Sequence, residues 1–71
     1  MISAMQMRAA RGLLQWTQED LAREAGVSSL TVRNIEAGKT KPNPATMTVI
    51  RQALERHGVE LTDDGRGVRL K

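Results

Sequence analysis

Apolar positions recur at helical spacing through most of the chain, as Met7, Ala10 and Leu14, then Leu21, Ala22 and Ala25, then Met47, Ile50, Ala53 and Leu54. Each stripe is preceded by a residue suited to start a helix. Ser3 is followed three positions later by Gln6, a capping box, with Ile2 and Met7 placed as a hydrophobic staple. Thr17 with Asp20, and Trp16 with Leu21, repeat the scheme. Ser28 stands between Val27 and Val32 at the same offsets, and Asn43 precedes Pro44, whose ring suits the first helical position. Gly26, Gly38 and Gly58 mark exits, since a helix commonly ends on a left-handed residue. These signals predict helices over about 4 to 14, 18 to 25, 29 to 37 and 44 to 57.

The pattern changes after Gly58. Val59-Glu60-Leu61 and Val68-Arg69-Leu70 alternate with period two around a turn-forming run from Thr62 to Gly67, so two short strands are expected. Such a hairpin is marginal alone and must lean on the helices or pair with another chain. The expected fold is therefore all-α, a compact four- to five-helix body over residues 1–58, with a short C-terminal β-strand pair over 59–71. That extension is a candidate dimerisation element through strand addition across a two-fold axis, and a hairpin folded on its own body is the equal alternative.

Composition narrows the class. The 71 residues suit one domain with one small core, and Trp16 is the lone aromatic, so aliphatic side chains must fill it. No cysteine is present, which removes disulfides and thiolate metal sites, and no apolar run has the length of a signal peptide or membrane span. A cytoplasmic location without membrane attachment is the expectation. A net charge of +3 suits a polyanionic partner without requiring one. Catalysis finds no support: His57 is the sole histidine, at a helix end where a cation complements the dipole, and Asp63 and Asp64 suit a turn. No catalytic residue, metal ligand or cofactor is assigned.

The chemistry concentrates between Gln18 and Ala37. The second and third helices are separated only by Gly26, Val27 and Ser28, a turn short enough to hold them at a steep angle as a helix-turn-helix. Ala22 must be small where the helices cross, and Val32 with Ile35 pins the third helix to the core. At about 100° per residue, Ser29, Leu30, Arg33, Asn34 and Ala37 then occupy one arc of about 140° on the opposite side. A major groove admits an α-helix, so this free face is a candidate base reader. Arg33 suits guanine, Asn34 adenine and Leu30 a thymine methyl, while Ser28 and Ser29 can bond bases or phosphate. Each of these residues taken alone reads more readily as a solvated surface side chain than as a base contact; Leu30, exposed among polar neighbours, is the exception. Thr17 and Gln18 at a helix start, with Lys39, Thr40 and Lys41 in the polar loop after the third helix, are candidate phosphate contacts.

The runs Thr17-Gln18-Glu19-Asp20-Leu21-Ala22, Gly26-Val27-Ser28 and Ile35-Glu36-Ala37-Gly38-Lys39 resemble the Xre, Cro and lambdoid phage repressor family, over about residues 4 to 57. The resemblance implies that the outward positions of the third helix read bases, although the residues here differ and the target sequence does not transfer. It implies that Gln18 contacts the DNA backbone and braces the recognition helix, and that Arg11 and Glu36 form a structural ion pair. The expected function is a transcriptional regulator, read as a repressor, bound as a homodimer to a pseudo-palindromic operator in double-stranded DNA. The alternative is an antitoxin-type module that binds promoter DNA and a toxin or other protein partner. Trp16 is read as core and staple.

Overall fold

The structure, a computed structural model, describes residues 2–71; Met1, the first residue of the expected helical body, lies outside them. Helices α1 (Ala4–Leu14), α2 (Gln18–Ala25), α3 (Ser29–Glu36) and α4 (Pro44–Arg56) are followed by strands β1 (Val59–Leu61) and β2 (Val68–Leu70).

Each helix begins as the caps predict. Ser3 Oγ accepts from the Gln6 amide at 3.1 Å while Gln6 Oε1 accepts from the Ser3 amide at 3.0 Å. Thr17 and Asp20 make the same reciprocal pair, at 3.0 and 2.9 Å. Ser28 Oγ accepts from the Thr31 amide, and Asn43 Oδ1 from those of Ala45 and Thr46. These bonds satisfy amides that have no partner inside the helix. Both Ile2 and Met7 lie in the core, as a staple requires.

The exits follow backbone chirality. Gly26 and Gly38 take φ of 74° and 72°, a left-handed conformation costly for residues with a Cβ. Helix α3 closes one residue earlier than predicted, with Ala37 as its C-cap, and α4 likewise stops before His57. Helix α1 ends on a signal absent from the sequence pattern: Gln15 adopts φ 59°, and the Trp16 amide bonds the Arg11 carbonyl at 2.8 Å.

All four helices and both strands share one core. Met7, Leu21, Val32, Ile50, Leu54 and Val59 are fully buried within it, and Leu14, Trp16, Ala25, Val27 and Val68 pack around them. Helix α2 packs on α3 and α4, and α1 touches both α3 and β2.

Strands β1 and β2 pair antiparallel within the chain, with Val59 opposite Leu70, Glu60 opposite Arg69 and Leu61 opposite Val68. The hairpin is anchored by a side chain assigned from sequence only to capping. Gln6 is 1% exposed, and its Nε2 donates to the carbonyls of Thr62 at 2.8 Å and Gly67 at 2.9 Å. Ser3 Oγ donates to the Gly65 carbonyl at 2.6 Å. The tail therefore leans on α1 and α4 of its own chain.

Candidate nucleic-acid interface

Helix α3 has two unlike faces. Val32, Ile35 and Glu36 are buried, whereas Leu30 and Arg33 are exposed and Ser29 and Asn34 half-buried. Leu30, at 55% exposure, is the most exposed large hydrophobic residue among those described. Burial of Val32 and Ile35 supplies the hydrophobic hold on the inner face. The outer face is left free along the length of the helix.

A polar cluster fixes the end of α3. Arg11 grips Glu36 with two parallel bonds, Nε to Oε2 at 2.8 Å and the second guanidinium nitrogen to Oε1 at 2.7 Å. Its third nitrogen donates to the Trp16 carbonyl at 3.1 Å, tying the α1–α2 loop to the same pair. Hydrogen bonding to Glu36 pushes the Arg11 guanidinium pKa up, against the burial that lowers it. Gln18 Nε2 donates to Glu36 Oε1 at 3.2 Å, so the residue expected to brace the recognition helix does touch it. Arg8, which sequence patterning does not single out, donates to the Glu36 carbonyl at 2.6 Å and satisfies a group at the open end of the helix. Side chains from α1 and α2 thus converge on the last residue of α3. Planar bidentate pairing restricts rotation more than a single contact does.

Ser28 combines two tasks. Its hydroxyl caps α3 and lies 2.8 Å from Thr31 Oγ1, which leaves it limited hydrogen-bonding capacity for anything outside. Thr17, capping α2, accepts from the Asp20 amide with its hydroxyl at 3.0 Å. Asp20 carries a carboxyl pKa held below its ordinary value, first by the Thr17 amide and then by Arg23.

Charge is distributed unevenly. Arg11, Arg23, Arg51 and Arg69 are engaged with carboxylates, as is His57 with Glu24. Arg33, Lys39 and Lys41 have no carboxylate partner among the described residues and stand on α3 and the loop after it. Thr40 and Lys41 are exposed, in a loop that Gly38 turns away from the helix. These three cations suit phosphate attraction, although Arg8, Arg56, Arg66 and Lys71, which likewise have no carboxylate partner among the described residues, stand on other parts of the chain.

On the far side, Arg56 donates to the Glu24 carbonyl at 2.9 Å, His57 Nε2 lies 2.9 Å from Glu24 Oε1, and the His57 ring meets Trp16 edge-on at 4.7 Å. These contacts clamp α2 to the end of α4. Trp16 is packed against the core as expected. Among the described residues no cluster has the composition of a metal site, and no helix is long and apolar enough to cross a membrane.

Two short helices held at a tight turn, the second with one face buried and the other open beside free cations, define a helix-turn-helix DNA-binding domain. The comparison with known families agrees: a helix-turn-helix family model, of the Xre/Cro type, matches residues 7–61. The chain belongs to that family, whose members are DNA-binding transcriptional regulators. A search of curated protein sequences gives no match.

Proposed function

We propose that the chain is a sequence-specific repressor that inserts α3 into the major groove of a pseudo-palindromic operator as a two-fold dimer. The observation that carries this reading is the division of α3 into a face pinned by Val32, Ile35 and the Arg11–Glu36–Gln18 cluster and a face left open. Arg33 is assigned a bidentate contact to guanine, Asn34 one to adenine and Leu30 the thymine methyl, with Ser28 and Ser29 at the start of the helix. Thr17 and Gln18 at the amino end of α2, with Lys39, Thr40 and Lys41, are assigned to phosphates, which set register without reading sequence. Eight residues of helix span only a few base pairs, so a second copy is needed to specify a site.

The test is fluorescence anisotropy of the purified protein with duplex DNA from upstream of its own gene, against a scrambled duplex, across a salt series. A preference of about a thousandfold or more at physiological salt supports the assignment. Equal and steeply salt-dependent binding to both leaves electrostatic attraction alone and refutes it for that sequence.

A further inference from the structure

The carboxyl end of α3 is closed partly by its own chain and partly by a residue outside the helix-turn-helix. The carbonyl of Arg33 accepts from the Ala37 amide, that of Ile35 from the Gly38 amide and that of Asn34 from the Lys39 amide, each at 3.0 Å. The last carbonyl, on Glu36, accepts instead from Arg8 Nη1 at 2.6 Å. A carbonyl at the end of a helix points along the axis away from its body, so the Arg8 guanidinium stands where the chain leaves α3 for Lys39, Thr40 and Lys41. Lys39 is tied to the same last turn through its own amide. Two cations are thereby fixed at one helix end, one by its side chain and one by its backbone.

Arg8 also borders the open face. About the α3 axis, Glu36 lies about 20° from Ser29 and about 60° from Arg33, both members of the outward arc. Arg11 grips the Glu36 carboxylate, so α1 meets α3 at the margin of that arc, and Arg8, about one turn before Arg11, shares the margin.

Capping leaves most of this side chain unused. A guanidinium is a planar fork with donors along more than one edge, and the edge suited to two parallel bonds is the one Arg11 presents to Glu36 through Nε and Nη2. In Arg8 that edge has no partner among the described residues, the residue is exposed, and no carboxylate neutralises it. Arg56 makes the same kind of bond elsewhere: it donates to the Glu24 carbonyl at 2.9 Å, is exposed and likewise faces no carboxylate. That bond lies toward the end of α2, near His57 and Trp16. The same chemistry thus occurs twice, once beside the cationic loop and once away from it.

We infer that Arg8 is a further DNA contact, holding the end of α3 through Nη1 and a backbone phosphate through its Nε–Nη2 edge, beside the phosphate taken by Lys39. Such a contact reads no sequence. It sets how α3 stands in the groove, because one rigid fork holds both the helix end and the DNA backbone. The inference rests on the reading of α3 as the groove-binding helix, but on no particular base contact.

Three variants of the full chain test it, by anisotropy with duplex DNA from upstream of its own gene and with a scrambled duplex, over about 50 to 200 mM salt. Arg8→Gln keeps a donor for the Glu36 carbonyl but loses the charge. It should lower the salt slope by about one and weaken both duplexes by the same factor, leaving their ratio unchanged. Arg8→Lys keeps the charge and should keep the slope of the parent chain. Arg56→Gln makes the same chemical change on the far side and should also keep that slope. Melting temperatures read alongside report any loss of capping, which lowers affinity without changing the number of phosphates neutralised. An Arg8→Gln slope equal to the parent's, or a fall shared by Arg8→Lys or Arg56→Gln, overturns the inference. If Lys39→Ala lowers the slope and Arg8→Gln does not, the placement of α3 stands and the Arg8 contact fails; a parent chain that binds neither duplex refutes both.

Discussion

Replacing Arg11 by alanine strips Glu36 of its bidentate partner. The Glu36 side chain is 3% exposed, and afterwards only Gln18, at 3.2 Å, would remain on its carboxylate. Removing one member of a buried pair costs about 3 to 5 kcal/mol, because the other charge stays desolvated. Arg11 itself is 19% exposed and its attraction is partly screened, which places the loss near the lower end, about 3 kcal/mol. A domain of 71 residues has roughly 4 to 11 kcal/mol in total, so the variant should keep its fold but lose a large part of its margin. The corresponding fall in melting temperature is roughly 12 to 24 °C. Urea denaturation followed by the fluorescence of Trp16 is a direct assay, since the chain holds one tryptophan and its carbonyl is bonded to Arg11. The double variant Arg11→Met with Glu36→Leu should recover most of the loss, as apolar replacements of buried pairs often do. A loss below about 1 kcal/mol for Arg11→Ala would put the pair among solvated surface contacts and refute its role in holding α3.

Other outcomes follow from single contacts. Arg33→Ala should relax discrimination at one base step by about 1 to 3 kcal/mol, whereas Lys39→Ala should weaken every sequence alike and lower the salt slope by about one; anisotropy titrations on point-substituted duplexes separate the two. Gln6→Leu keeps the volume but removes the donors to Thr62 and Gly67, at a cost of about 1 to 2 kcal/mol, visible as faster hydrogen exchange in the hairpin than in α2. Gly67→Ala would set a Cβ 2.9 Å from the Thr62 side chain, whose hydroxyl already bonds the Gly67 amide at 2.8 Å, and thermal melting should show a loss of about 1 to 3 kcal/mol. The carboxyl pKa values of Asp20 and Asp64 are held low, the first mainly by the Thr17 amide and the second mainly by the Thr62 hydroxyl. Because the folded values lie below the unfolded ones, the stability they contribute is present above the ordinary carboxylate range and is lost as pH falls through the folded values. Melting temperature should therefore drop on acidification, and Asp20→Asn should flatten the drop.

Much of the fold was legible before any coordinates because its determinants are local. Ser3, Thr17, Ser28 and Asn43 cap amides two or three residues away, and a short polar side chain can reach those from few other arrangements. The outward face of α3 was legible too, since Val32 and Ile35 fix its rotation. Gln15 was not, because a left-handed residue with a side chain carries no compositional mark. Nor was the use of Gln6: the capping box accounts for one end of its amide, and the other end meets carbonyls 56 and 61 residues away. Arg8 on the Glu36 carbonyl and the Glu24–His57–Trp16 contact depend likewise on how helices cross. Whether β1 would find β2 or a neighbour was equally open in a period-two pattern, which states that a strand has an apolar side but not what covers it. The tertiary fold decided it, by placing Ser3, Gln6 and α4 where the hairpin's carbonyls and apolar side chains could be satisfied at once. Local hydrogen bonding and periodicity thus determined the helices, their starts and the outward face of α3. Partners distant along the chain become neighbours only after the core has closed, and those were settled by packing.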